Sequence, residues 1–415
     1  ICKPKPASLT PAFAMESTVD RTAPGEVVLF DTTTRSLAAG TNRIAVGALP
    51  DMVTFTPDGS RLLVANEATP STYGARIGTS VPRVFANAVN DPAGSVSVID
   101  MGSRSVIATA GFAGVAQTGS HLRLNTGMDF EPEYIAVNAA GTKAFVSVQE
   151  ANGLAVLDLG TNQFEKVVGL GAKDFNAPGN EIDSLNNSTV SFANVAAKGL
   201  YMPDAVATYQ AGGRTFVVMA NEGDFREDNG DRSAASGLGA TGLLANLRVS
   251  NTESSAGNLF AAGARSFSIR DTDGNLVYDS GSILDREAAR LGIYDDDRSR
   301  DKGVEPEGVE ILSVDGRTLA FIGLERTTTA AVAVFDVTDP NAVNYLDMIV
   351  TDGDVAPEGL EAFTVGGRHF LAISNEVSNT TSVYNLAAVP EPSTWAMLGA
   401  GLGLLILSPL LLIIS

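Results

Sequence analysis

Cysteine is almost missing from this chain, whose 415 residues include only Cys2. No internal disulfide can form, so burial must hold the fold together, and 44% hydrophobic content is enough for a large core. Histidine is nearly as scarce. With only His121 and His369 there is no HExxH pair, which excludes His-rich zinc or copper sites. Positive charge is also short: 28 Lys and Arg face 48 Asp and Glu, for a net charge of −20. That is the wrong sign for nucleic acid, where basic groups must neutralise phosphates, and it suits cations or basic partners instead. No G-x-S-x-G elbow, P-loop or dinucleotide fingerprint occurs in a fitting context, so three common catalytic frameworks drop out.

What the chain has is repetition. Five segments stack on one another: "PDMVTFTPDGSRLLVANE" from Pro50, "PEYIAVNAAGTKAFVSVQE" from Pro132, "PDAVATYQAGGRTFVVMANE" from Pro203, "PEGVEILSVDGRTLAFIGLE" from Pro306 and "PEGLEAFTVGGRHFLAISNE" from Pro357. Each reads as proline plus an acid, a short alternating strand, a glycine turn, a second apolar strand and a closing glutamate. A further strand follows several of them: "GSVSVID" at Gly94, "NGLAVLDL" at Asn152, "AAVAVFDV" at Ala330 and "TSVYNL" at Thr381, with "GEVVLFD" at Gly25 as an early match.

Short strands, glycine turns and a repeat near 50 residues at its tightest predict an all-β fold, a β-propeller of four-stranded blades. At about 45–50 residues per blade, residues 25–388 hold seven blades, with six as the alternative. Residues 1–24 read as an N-terminal extension. Residues 170–200 and 223–262, rich in small and polar residues with little periodicity, read as loop insertions. The hairpin around Asp273 and Gly274 lacks the spacing of a calcium loop and reads as a structural turn.

If each repeat supplies the two innermost strands of a blade, the loop entering the first and the loop leaving the second open on one face. Asp51, Glu133, Asp204, Glu307 and Glu358 then form one set of acids near the axis, and Glu67, Glu150, Glu222, Glu325 and Glu376 a second. Proline fixes φ and removes a donor at each entrance, so it can aim the next acid reproducibly. So many carboxylates repel unless hard cations or basic side chains offset them. "YDDDRSRDKGVEPEG" brings Arg298, Arg300 and Lys302 directly before one repeat acid, and "NEGDFREDNGDR" brings Asp224 and Arg226 directly after another.

The tail differs from the rest. Residues 395–414, "WAMLGAGLGLLILSPLLLII", run about 20 residues without a charge, the length of a membrane-crossing helix. Residues 395–415 are therefore expected to form a transmembrane anchor that begins at Trp395, carries a GxxxG pair at Gly399 and Gly403 and has Pro409 as a kink. "VPEPSTWAML" ahead of it resembles the PEP-CTERM sorting signal, with residues 389–394 as a linker; the closing basic cluster of that signal is absent. The resemblance implies a protein on the periplasmic or extracellular face of a Gram-negative membrane, touching lipid and other membrane subunits.

"YIAVNAAGTKAFVSVQEANGLAVLDL", "MPDAVATYQAGGRTFVVMANEGDFRED", "DDDRSRDKGVEPEGVEIL" and "APEGLEAF" together resemble the choice-of-anchor I family of bacterial surface proteins, over roughly residues 20–388. The Pro-Glu-Gly signature at Pro306 and Pro357 is similar to that of esterase-like phytase propellers. Two functions are therefore expected. One is a cation-binding scaffold or accessory subunit. The other is a Ca²⁺-dependent phosphoesterase in which Glu307 and Glu358, then Glu222 and Asp224, and further Asp204, Glu133, Glu325 and Glu376 hold the metal, while Arg226, Arg298, Arg300 or Lys302 clamps phosphate.

Overall fold

The computed structural model describes residues 3–4, 10–73, 76–77, 84–85, 90–123, 130–226, 228–388 and 412–414. It is all-β, with about 6% helix, and six sheets of four or five strands account for most of the described chain. The first is built on Pro11–Met15, Pro24–Asp31 and Arg43–Ala48. In the second, Pro50–Phe55 pairs with Arg61–Asn66, followed outward by Ser95–Asp100 and Ser105–Gly111. The third runs Pro132–Val137, Lys143–Val148, Gly153–Asp158 and Gln163–Leu170, with Ala116–Ser120 added in parallel at its rim. Val206–Ala211, Arg214–Asn221, Ser266–Asp271 and Leu276–Asp279 make the fourth. The fifth is Pro306–Val314, Arg317–Leu324, Ala330–Asp336 and Asn344–Thr351. The sixth is Pro357–Val365, Arg368–Asn375, Thr380–Ala388 and Leu412–Ile414.

The first strands of these sheets stand side by side in chain order, Pro11–Met15 next to Pro50–Phe55 and so on to Pro306–Val314 next to Pro357–Val365. Glycine turns set the hairpins: φ is positive at both Gly212 and Gly213, Asp315 and Gly316, Gly366 and Gly367, as a two-residue I′ turn requires. Second strands such as "RLLVAN" and "KAFVSV" are buried on both faces, hence their unbroken apolar character. Neighbouring sheets share cores. Val27, Leu62 and Ile99 join the first two, and Phe321, Val334 and Leu371 join the last two. Aromatic rings lock the middle, with Phe112 stacked on Phe164 at 4.4 Å and Phe267 against Phe335 at 4.5 Å. Each fully buried Phe or Leu contributes about 1.5–3 kcal/mol.

Two expectations are corrected. The first is the propeller, of seven blades or of six: the described residues form six large sheets that do not close into a barrel. The blade arithmetic fails because residues 172–262 contain, besides the first two strands of the fourth sheet, two insertions with short strands such as Ala172–Asp174, Lys198–Leu200 and Arg248–Ser250. These insertions pack a core of their own around Phe175, Ile182, Leu247, Val249 and Leu259. In addition, Pro11–Met15, read as part of an extension, pairs with Pro24–Asp31 inside the first sheet.

The second correction is the C-terminal transmembrane helix. Among the described residues no helix is long and apolar enough to cross a membrane, and Leu412–Ile414 is a strand paired with Leu386–Ala388. Trp395, Gly399, Gly403 and Pro409, the Pro-Glu-Pro linker and Cys2 lie outside the described residues.

Candidate metal centre

One local device is repeated at the entrance of the inner strands. In the second sheet Pro50 lies opposite Asn66 and Met52 opposite Ala65, so Asp51 has no partner in the ladder. The same bulge leaves out Glu133 in the third sheet, Glu307 in the fifth and Glu358 in the sixth. A bulge of this kind turns a side chain out of the ladder. The residue before the proline takes a positive φ at Leu49, Met202, Glu305 and Ala356, between 42° and 61°, a conformation non-glycine residues rarely adopt. Its carbonyl accepts a hydrogen bond from the closing acid of the same repeat: Glu67 N–H to Leu49 at 2.9 Å, Glu325 to Glu305 at 3.0 Å, Glu376 to Ala356 at 2.8 Å. In the fourth sheet Gly223, one residue past Glu222, donates to Met202 instead. Entrance and exit acids are thus fastened side by side.

Asp51, Glu133, Asp204, Glu307 and Glu358 line one cavity of about 210 Å³, with Tyr134 and Ala205 between them. Glycine in Pro-Glu-Gly permits this closeness: a Cβ on Gly308 would lie 2.5 Å from the Glu358 carbonyl oxygen. Glu150, Glu222 and Glu325 of the second set are buried beside the ring, Glu67 is half-buried and Glu376 is exposed.

The electrostatics follow from crowding. Burial first, then repulsion from Glu222, Asp204 and Glu325, pushes Glu307 up to about 12, and its Oε2 is buried without a hydrogen-bond partner. Glu133, Glu150 and Asp204 are likewise held well above the carboxylate range, by burial first and then by Glu67, Asp224 and Glu222 respectively. Glu67 rises to about 7 and Glu325 to about 8, again by burial first. Asp51, at the lip, rises to about 6 because the surrounding protein displaces bulk water although solvent still reaches its side chain. Glu358 is also raised, by burial and by Glu376. Among the described residues none of the five ring acids makes an ion pair.

The basic residues near the mouth are committed elsewhere. Lys302 Nζ lies 2.5 Å from Glu222 and 3.0 Å from Glu305. Arg298 bonds Glu305 at 2.5 Å, and Arg226 and Arg300 face Asp231 and Asp301 at 3.9 and 3.8 Å. Asp224 accepts from the Phe225 N–H and stands near Glu150 and Glu67.

With this geometry in hand, the family model of the choice-of-anchor I domain matches residues 8–340. The chain belongs to the choice-of-anchor I family. That membership points to an exported or cell-surface protein. The match runs through the third strand of the fifth sheet, up to Pro340, and stops before Glu358 and Glu376. No curated protein matches the chain. Among solved structures, the domain is similar to hydrazine synthase of Kuenenia stuttgartiensis at 15% identity, covering 87% of this chain and 70% of the other with a TM-score of 0.44. A functionally unknown protein from Desulfotomaculum acetoxidans is 10% identical over 93% and 83% at 0.44. The beta-propeller domain of Myceliophteria thermophila Cps50 (Swd1) is 10% identical over 93% and 96% at 0.38. At such scores none of them bears on activity.

The choice-of-anchor I domain also uses groups that the repeat pattern did not single out. Glu305 precedes Pro306, and its carboxylate, held below its usual range because Lys302 and Arg298 outweigh the effect of burial, is the hub of three cations, Lys302, Arg298 and Arg326. Glu131 precedes Pro132 and accepts a hydrogen bond from Tyr73 at 3.1 Å. The Glu-Pro-Glu triplets at 131–133 and 305–307 were the visible signal for both. Arg123, which bonds buried Asp231 at 2.6 Å, had no such signal.

Proposed function

We propose that this protein is an exported, propeller-like surface module whose five-acid ring takes up a hard divalent cation, Ca²⁺ first, and whose loaded mouth serves a binding or scaffolding role. The observation that carries this reading is the ring itself, where Asp51, Glu133, Asp204, Glu307 and Glu358 converge on one cavity without a basic partner. The donors suit Ca²⁺. All are carboxylate oxygens, they come from five separate segments that allow an irregular shell, and Glu307 offers a buried oxygen with no other partner. Bound calcium would offset the burial and the repulsion that together raise these groups above the usual carboxylate range.

Scaffolding is favoured over phosphate hydrolysis because Lys302, Arg298, Arg226 and Arg300 are turned to carboxylates rather than to the cavity. Export is supported by family membership and by the likeness of the Pro-Glu-Pro segment to a sorting signal. Calcium titration calorimetry on the full chain, beside the Glu307→Gln/Glu358→Gln variant and with phosphomonoester turnover followed in the same samples, tests the reading. Saturable binding lost in the variant, without turnover, is the expected result. Absence of binding in the wild type overturns the metal reading, and turnover that tracks calcium overturns the scaffold.

A further inference from the structure

The mouth is not electrostatically uniform. On one side Glu222, Glu305 and Glu325 bring a carboxylate oxygen each within 4.8 Å of one another, all three buried, in the arrangement that could hold a metal ion. A cation from the chain is already there. Lys302 Nζ lies 2.5 Å from Glu222 Oε1 and 3.0 Å from Glu305 Oε2, and the lysine is only 6% exposed. Three further oxygens are taken too: Glu222 Oε2 accepts from Gln149 at 2.9 Å, Glu305 Oε1 from Arg298 at 2.5 Å, and Glu325 Oε1 faces Arg326 at 2.7 Å. Three carboxylates are therefore balanced by three cations, whereas the five ring acids beside them have none.

Position explains why a lysine can do this. Glu222 closes the second strand of the fourth sheet, and Glu305 leads into the first strand of the fifth. The ammonium therefore bridges two neighbouring sheets at the level where a metal would bridge them. Its loop is itself held in place, with Arg248 N–H donating to the Arg300 carbonyl at 2.8 Å and Arg232 pairing with Asp301 at 3.1 Å. An ammonium offers three donors on a compact charge, which suits converging carboxylate oxygens.

We infer that Lys302 is a tethered cation: its ammonium, bonded to Glu222 and Glu305 beside Glu325, takes the place of the divalent ion these three carboxylates could otherwise share, which leaves only the five-acid ring to exchange ions. The second half of this statement rests on the calcium reading given above; the first half does not. The contact between the fourth and fifth sheets is thus locked without metal.

The test counts Ca²⁺ bound per full-length chain by equilibrium dialysis, for the wild type, Lys302→Met, Glu222→Gln and the double variant, with circular dichroism to confirm folding. Lys302→Met is expected to bind one more ion than the wild type, and adding Glu222→Gln is expected to remove it. Glu222→Gln alone should leave the count unchanged. A folded Lys302→Met with an unchanged count overturns the proposal, as does loss of an ion from Glu222→Gln alone, since metal would then occupy the position in the native protein. If Lys302→Met does not fold, the Glu222→Gln count still decides. A wild type that binds no calcium while Lys302→Met binds one would sink the five-acid reading and leave the tethered cation standing.

Discussion

Replacing Glu307 by glutamine separates two accounts of the acidic mouth. In the ion-free protein its carboxyl is pushed up to about 12 from an ordinary 4.5, so it keeps its proton at neutral pH in the folded state and loses it on unfolding. The stability such a group contributes is fully present below its unfolded pKa and is lost as pH rises toward the folded value. At pH 7 the loss spans about 2.5 pH units at about 1.4 kcal/mol each, at most roughly 3.5 kcal/mol. Glutamine has nearly the same shape and no charge in either state, so Glu307→Gln should be more stable than the wild type in chelator by about 2–3 kcal/mol at pH 7 and by under about 1 kcal/mol at pH 5. Calcium reverses the order of benefit. At a hundredfold excess over its dissociation constant it adds about 2.7 kcal/mol to a chain that binds it, and less to one that has lost a ligand. Urea unfolding at both pH values, in chelator and in calcium, reads all four quantities. A variant less stable than the wild type in chelator at pH 7 would show that Glu307 is ionised and favourably paired, and the argument would fail.

The remaining expectations rest on other contacts. Because Asp51, Glu67 and Glu325 are raised to about 6, 7 and 8, the melting temperature in chelator should fall as pH climbs from about 4.5 to 8, and calcium should flatten that slope; a rising slope in chelator would contradict it. Gly308→Ala sets a Cβ against the Glu358 carbonyl, which cannot move without shifting the sixth sheet, so a loss of about 1–3 kcal/mol is expected in urea unfolding. Arg123→Met leaves buried Asp231, among the described residues, facing Arg226 at 3.9 Å as its one remaining ion-pair partner, and should cost about 3–5 kcal/mol in the same assay.

Much of this protein is written locally. Alternation, glycine turns and the recurring proline–acid pair are short-range patterns, and they predicted the inner hairpins from Pro50 to Asn375 and the gathering of Glu133, Asp204, Glu307 and their counterparts on one face. A strand's period and a turn's φ are properties of a few adjacent residues, so a sequence can show them unaided. Other features depend on residues far apart in the chain. Lys302 looked like a phosphate clamp until folding brought it to Glu222, 80 positions away; Arg123 meets Asp231 across 108 positions. The insertions between residues 172 and 262 carry little strand period because a small core of their own shapes them, with only short strands, so counting residues per blade could not give the fold. Composition gave the mouth its charge. Only the tertiary structure decided which carboxylates are answered by the chain's own cations and which are left for an ion, because that depends on distances of a few ångströms between segments the sequence keeps apart.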